Sequence, residues 1–91
     1  MKKAFRVFIS GSVQGILFRD FIKDNADRLG VRGFVRNLED GRVEAFIEGD
    51  HEAIENMIEA CKQGPKYAHI KNVEVKDERF QGLKDFRVIR F

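Results

Sequence analysis

The feature that most limits what this chain can fold into is a change of hydrophobic period near its start. Phe5, Val7 and Ile9 share one parity and Ala4, Arg6, Phe8 and Ser10 the other, the two-residue period of a strand. The alternation stops at Gly11. Beyond the stretch Gly11-Ser12-Val13-Gln14-Gly15, the residues Phe18, Ile22, Ala26 and Leu29 recur at steps of three and four, the spacing of one helical face, and Gly30 stands where a left-handed residue closes a helix. A strand, a glycine-bracketed loop and a helix therefore follow in direct succession.

The same punctuation organises the rest of the chain. Val31 to Asn37 and Arg42 to Glu48 read as strands, joined by Leu38-Glu39-Asp40-Gly41, whose Asp-Gly pair favours a hairpin turn. Asp50 is positioned to cap a second helix with Glu52 in its first turn; Ile54, Met57, Ile58 and Cys61 share its apolar face, and Gly64-Pro65 ends it. His69 to Lys76 carries Val73 and Val75 in a fourth strand, and Phe86 to Phe91 alternates as a short fifth beyond the polar link Asp77 to Asp85. Two right-handed helical crossovers put both helices on one face of an antiparallel sheet, because each leaves room for a further strand between the two it joins. The expected fold is α+β, a ferredoxin-like βαββαβ sandwich with a short extra C-terminal strand.

Composition sets bounds on partners and compartment. Ninety-one residues suit one domain, expected to span 1–91, and 43% hydrophobic content with nine Phe supplies a core and argues against a disordered tail. The formal charge of +2 comes from interspersed signs, so any affinity for anions has to be local and strong nucleic-acid binding is not expected. The single Cys61 has no internal disulfide partner, and Met1-Lys2-Lys3-Ala4-Phe5-Arg6 lacks the apolar run of a secretory signal. Nor do about 18 apolar residues run together anywhere, as a membrane span requires. These readings point to a cytosolic protein, and nothing in them demands a partner to complete the core, so a monomer is expected.

The order of elements also places chemistry. A helical crossover makes the first two strands parallel, so the Gly11 to Arg19 segment and Asn37 fall on the same sheet edge. Two glycines in the loop free the backbone to turn successive N–H groups inward, and the helix that follows adds its positive end. Arg19 offers a forked, permanently charged clamp for phosphate oxygens. The loop is not a Walker motif, since neither Lys nor Ser/Thr follows Gly15. Taken singly, these residues are ordinary: glycines punctuate turns, Arg19 is a surface charge, and Asn37 is a turn former ahead of Asp40-Gly41.

Their company is less ordinary. The run Gly11-Ser12-Val13-Gln14-Gly15-Ile16-Leu17-Phe18-Arg19 resembles the first acylphosphatase signature, G-x-V-Q-G-V-x-F-R. Gly33-Phe34-Val35-Arg36-Asn37-Leu38-Glu39-Asp40-Gly41-Arg42-Val43 resembles the second, G-[WYF]-V-x-N-x-x-x-G-x-V, with Gly49 also in place. The resemblance spans nearly the whole chain and implies hydrolysis of the mixed anhydride of an acyl phosphate to a carboxylate and inorganic phosphate, without metal or cofactor. It further implies that Arg19 and Asn37 are the catalytic pair. The backbone N–H groups of Ser12, Val13, Gln14, Gly15, Ile16, Leu17 and Phe18 would then hold the phosphoryl oxygens with Arg19, while Asn37 orients the attacking water. Departures are Ile16 for the usual Val, Ser12 where a basic residue is frequent, and Phe34 where Trp is common; none touches the matched pair.

Other readings compete. Phe8, Phe34 and Phe46 on the sheet face away from the helices suggest the stacking platform of an RNA-binding domain, although Arg32-Gly33-Phe34 begins like the RNA-binding octapeptide and then departs from it. A non-catalytic ligand-binding or regulatory module of the same fold is the other alternative. Cys61 lies on an apolar stripe, and Tyr67 occupies the position where a cysteine phosphatase needs Arg, so Cys61 reads as core. His51 and His69 fall at polar element ends without companions at metal-ligand spacing. Lastly, if the fifth strand returns antiparallel to the fourth, the Phe91 carboxylate finishes on the catalytic edge within reach of Arg19.

Overall fold

The opening alternation forms strand β1 (Lys2–Gly11), and the glycine loop leads into helix α1 (Ile16–Leu29). Strands β2 (Arg32–Asn37) and β3 (Val43–Asp50) form the hairpin, helix α2 (His51–Gln63) crosses back, and β4 (Ile70–Asp77) and β5 (Phe86–Val88) complete the chain. This computed structural model describes residues 1–90. The sheet order is β4-β1-β3-β2-β5. β1 pairs antiparallel with β3 and β4, and β2 antiparallel with β3, which makes β1 and β2 parallel. β5 pairs parallel with β2, so the extra strand turns the antiparallel four-stranded sheet into a mixed five-stranded one.

Both helices lie on one face of the sheet. Val7 and Ile9 of β1, Val35 of β2 and Val43, Ala45 and Ile47 of β3 form a single buried cluster with Phe18, Ile22 and Ala26 of α1 and Ile54, Met57 and Cys61 of α2. Each such side chain contributes roughly 1.5–3 kcal/mol when fully buried, which fixes the strand register, because a one-residue slip would turn the set outward. α1 closes as its sequence implies: Gly30 is left-handed, Val31 N–H donates to Ala26 O and Gly30 N–H to Asp27 O.

The start of β1, the cap of α2 and the end of β5 differ from expectation, each for a local reason. β1 starts at Lys2, because Lys2 pairs in register with Asp50 and its ammonium meets the Asp50 carboxylate at 3.0 Å. That same contact takes the carboxylate away from α2, so Asp50 holds the capping position without a side-chain cap, and His51 N–H donates to Met1 O instead. β5 ends at Val88, yet Ile89 N–H still donates to Val35 O at 2.9 Å, which carries the strand's direction one step further. Phe91, with its expected pairing to Arg19, lies outside the described residues.

The opposite face of the sheet is covered by charge rather than helix. Phe34 and Phe46 stack with centroids 5.9 Å apart, and the Arg6 guanidinium sits 5.8 and 5.5 Å from their centroids. Arg42 lies 4.8 Å from the Phe8 centroid. Phe46 is fully buried, so the three rings do not present the open platform that base stacking would use. Arg6 also donates to Glu44 at 2.9 Å, and Arg36 donates to the other oxygen of the same carboxylate. Farther along, the buried carboxylate of Glu48, 1% exposed, accepts Gln81 N–H at 2.7 Å and Leu83 N–H, which pins the link before β5 to the sheet.

Two outcomes follow from these carboxylates. Removing the Glu48 acceptor leaves two amides of the link without their partner, so Glu48→Ala is expected to cost about 2–4 kcal/mol in urea unfolding. A loss below the error of the measurement would mean that the link is held by other contacts. Burial opposes ionisation of Glu44, but hydrogen bonds from Arg36 and Arg6 outweigh it and hold its pKa below the usual glutamate value. A depressed folded pKa contributes stability that is present above the unfolded value of about 4.3 and disappears as pH falls through the folded one. Glu44→Gln should therefore lower the urea midpoint at neutral pH and narrow its difference from wild type as the solution is acidified through that range.

Candidate active site

The loop between β1 and α1 is an arch held at both ends. Val13 and Phe18 are fully buried in the core, whereas the intervening Gln14, Gly15, Ile16 and Leu17 are exposed. Anchoring two side chains in the interior forces the backbone between them to the surface. Gly11 begins the arch at φ 131, where a Cβ would lie 2.0 Å from His69 O, so only glycine allows β1 and the lead into β4 to approach this closely. Gly15 ends it at φ 109 and ψ 169, a conformation essentially reserved for glycine, with open space where a Cβ would stand.

Hydrogen bonding assigns the arch's amides. Ser12 N–H donates to His69 O at 2.8 Å, and Arg19 N–H closes the first helical turn onto Gly15 O at 3.4 Å. Among the described residues, the N–H groups of Val13 to Phe18 meet no such acceptor. Ser12 is thus committed to structure, and the set of amides that can face a ligand begins at Val13. Those of Ile16, Leu17 and Phe18 also form the positive end of α1, whose first turn carries no acidic side chain to neutralise it.

Arg19 leans from α1 toward the end of β5. Its Nε donates to Gly15 O at 3.4 Å and its Nη1 to Ile89 O at 3.3 Å, which fixes the plane of the fork and leaves other donors for an oxygen ligand. Ile89 in turn donates to Val35 O, two residues before Asn37. Asn37 shares with Val35 the side of β2 that faces the helices, and its Oδ1 is buried without a hydrogen-bond partner among the described residues. A second link ties loop to hairpin. Gln14 Nε2 donates to Arg42 O at 3.1 Å, and the same carbonyl accepts Leu38 N–H at 2.8 Å, directly beside Asn37.

Arg19, Asn37 and the loop amides are thus joined through a few backbone groups, as the strand order implies. Sequence reasoning did not find His69, Arg42 or Ile89, which act through main-chain carbonyls, so no side-chain pattern marks them. Cys61 is core, and burial pushes its thiol up to about 12, leaving it protonated near neutrality. Among the described residues, no three His, Cys, Asp or Glu side chains gather as a metal-binding group. Among the described residues, no helix is long and apolar enough to cross a membrane.

The sequence profile of the acylphosphatase family matches residues 5–88. This chain belongs to the acylphosphatase family. It is similar to an acylphosphatase from Rubrobacter xylanophilus, 49% identical over 80 residues that cover 88% of this chain and 73% of that relative. An acylphosphatase from a Nocardioides species is 46% identical over 88 residues, 97% of this chain and 89% of that one. The crystal structure of acylphosphatase from Bacillus subtilis superposes with a TM-score of 0.91 at 33% identity, covering 99% of this chain and 100% of that one. The chain is accordingly a hydrolase of the carboxyl–phosphate bond of acyl phosphates.

The two glycines are expected to fail differently when replaced by alanine. Gly11→Ala drives a methyl group into His69 O and should destabilise the fold by about 3 kcal/mol or more, because both chains there are backbone. Gly15→Ala meets no atom, so it should cost only about 1–3 kcal/mol of backbone strain while sharply weakening phosphate affinity. Urea unfolding and phosphate titration separate the two, and equal phosphate affinity for Gly15→Ala and wild type would contradict the assigned role of its geometry.

Proposed function

We propose that acyl phosphate hydrolysis by this enzyme is divided between an anion cradle and a water-orienting amide. The N–H groups of Val13 to Phe18 and the Arg19 guanidinium hold the phosphoryl oxygens, while the Asn37 carboxamide oxygen accepts a hydrogen bond from the attacking water. The observation that carries this reading is the buried Oδ1 of Asn37, which has no hydrogen-bond partner among the described residues. A buried acceptor left without a donor costs about 1–3 kcal/mol, a penalty that a water molecule poised for attack would relieve.

The chemistry suits such a site. Water oxygen bonds to phosphorus, the bond from phosphorus to the acyl oxygen breaks, and the pair of electrons leaves on the carboxylate. The proton of the water passes to a phosphoryl oxygen. Phosphoryl transfer through a loose transition state asks for alignment and charge stabilisation more than for covalent catalysis, and a carboxylate is already a good leaving group. Fixed amides and a guanidinium with its plane set by Gly15 O and Ile89 O meet that need without reorganising. We extend the reading to a single catalytic domain over residues 1–91 that acts as a cytosolic monomer without metal, cofactor or nucleic acid.

Benzoyl phosphate hydrolysis in EDTA tests these roles. Arg19→Ala and Asn37→Ala should each lower kcat by roughly 10² to 10³ with the fold intact by circular dichroism. Arg19→Lys should recover little, since a point charge cannot span the oxygens that a fork does. Folded Asn37→Ala with wild-type turnover would remove the water-orienting role and leave the cradle as the whole catalyst. Loss of wild-type turnover in EDTA, restored by a divalent cation, would overturn the metal-free mechanism.

A further inference from the structure

Glu48 stands far from the cradle. It pairs with Arg32 at the start of β2, whereas Asn37 pairs with Val43 at the other end of the same ladder, five residues and about 16 Å along the strand. Of the two buried carboxylates among the described residues it is the deeper, 1% exposed against 5% for Glu44. Glu44 is neutralised by Arg6 and Arg36. Glu48 is treated differently: among the described residues it enters no ion pair, and its oxygens accept Gln81 N–H at 2.7 Å and Leu83 N–H. Burying a charge against two backbone amides is costly, and the charge-assisted bonds that result are strong and directional. What they fix is the course of the link that crosses Glu48 on its way to β5.

From that link the contacts run to the site. Arg32 Nη1 donates to Leu83 O at 3.1 Å and Gly33 N–H to Asp85 O at 3.0 Å, so the link reaches β2 already aligned. β5 itself is slight: its three residues pair with β2 at the edge of the sheet, and Phe86 is its one buried side chain. Directly after it, Ile89 N–H donates to Val35 O and Ile89 O accepts Arg19 Nη1 at 3.3 Å. When β5 lifts, Ile89 O leaves with it, and Arg19 keeps Gly15 O, a carbonyl at the start of its own helix. A strand held by so few contacts has two discrete arrangements, docked and undocked, and whatever favours the docked one favours a fixed guanidinium. We propose that Glu48 is a remote positioning residue for the hydrolysis: by fixing the link it keeps β5 docked, and β5 holds the Arg19 fork in the plane that grips the phosphoryl group. The inference rests on the clamp role proposed above for Arg19 and adds the group that maintains it. Glu48 touches neither substrate nor Arg19, so its effect passes through Ile89 O and vanishes where there is no guanidinium to orient.

Glu48→Gln tests this, because it keeps the size of the side chain and one acceptor oxygen while setting an NH2 group against an N–H. Benzoyl phosphate turnover by the folded variant should fall about tenfold. The same change made in Arg19→Ala should lower the residual turnover by less than about twofold, whereas a general loosening of the protein would lower both backgrounds alike. Arg32→Ala, which removes an exposed tie to Leu83 O, should repeat the pattern more weakly, and it decides the matter if Glu48→Gln does not fold. NMR supplies a readout free of turnover: rotation about the Arg19 Nε–Cζ bond, slowed in wild type by the hydrogen bond to Ile89 O, should quicken in Glu48→Gln. Wild-type turnover and rotation in the folded variants, or equal losses with and without Arg19, overturn the proposal. Full turnover by Arg19→Ala would overturn the clamp, and the catalytic consequence of Glu48 with it, even where the rotation still responds to Glu48→Gln.

Discussion

Burial of Val13 and Phe18 is the constraint on which the arrangement of the site depends. A loop with both ends anchored in the core cannot relax its backbone by moving away, and a helix that starts at Ile16 points its first amides outward. Among the described residues, the amides from Val13 to Phe18 consequently meet neither each other's carbonyls nor a neighbouring strand. Isolated in solution, a segment of this length would satisfy itself with turns or water. Here the core holds it open, and the favourable free energy of apolar burial offsets the cost of leaving donors unpaired.

Arg19 and Asn37 illustrate two ways in which a fold prepares polar groups. The guanidinium is oriented by two carbonyls from different parts of the chain, so its fork is in place before any anion arrives. The carboxamide is prepared by deprivation: its oxygen is buried and lacks a donor among the described residues. Under the proposed roles, preorganised donors and a buried acceptor would complement the two halves of a hydrolysis, a negatively charged group to be held and a neutral nucleophile to be aimed. Neither task calls for a shifted pKa or a nucleophilic side chain, which accords with a site built mostly from main chain.

Much of this was legible in the sequence. The period change at Gly11, the stripe ending at Gly30, the Asp40-Gly41 turn and the Gly64-Pro65 break locate the elements, and the crossover geometry then brings Arg19 and Asn37 to one edge. What the sequence did not disclose was mainly backbone. The Ser12 amide looked available for anions until the register irregularity at Ser10/Gly11 brought His69 O against it. Asp50 has the chemistry of a cap, but Lys2 offers its carboxylate an opposite charge, a competition between local and non-local partners that one-dimensional reasoning cannot weigh. The exposed Phe platform suggested by parity failed because Arg6 and Arg42 lie against the rings, and cation–aromatic contacts leave no periodic trace.

The bond from Arg19 to Ile89 joins residues 70 positions apart. Loop closure over that separation is among the slower steps available to a small domain, since entropy is lost before any contact rewards it. α1 and the glycine arch can assemble from neighbouring sequence, but the guanidinium acquires its fixed plane only when β5 has docked beside β2. On the role proposed for Arg19, secondary structure and a compact core would precede catalytic competence during refolding, and recovery of turnover would report the arrival of the last strand rather than the collapse of the chain.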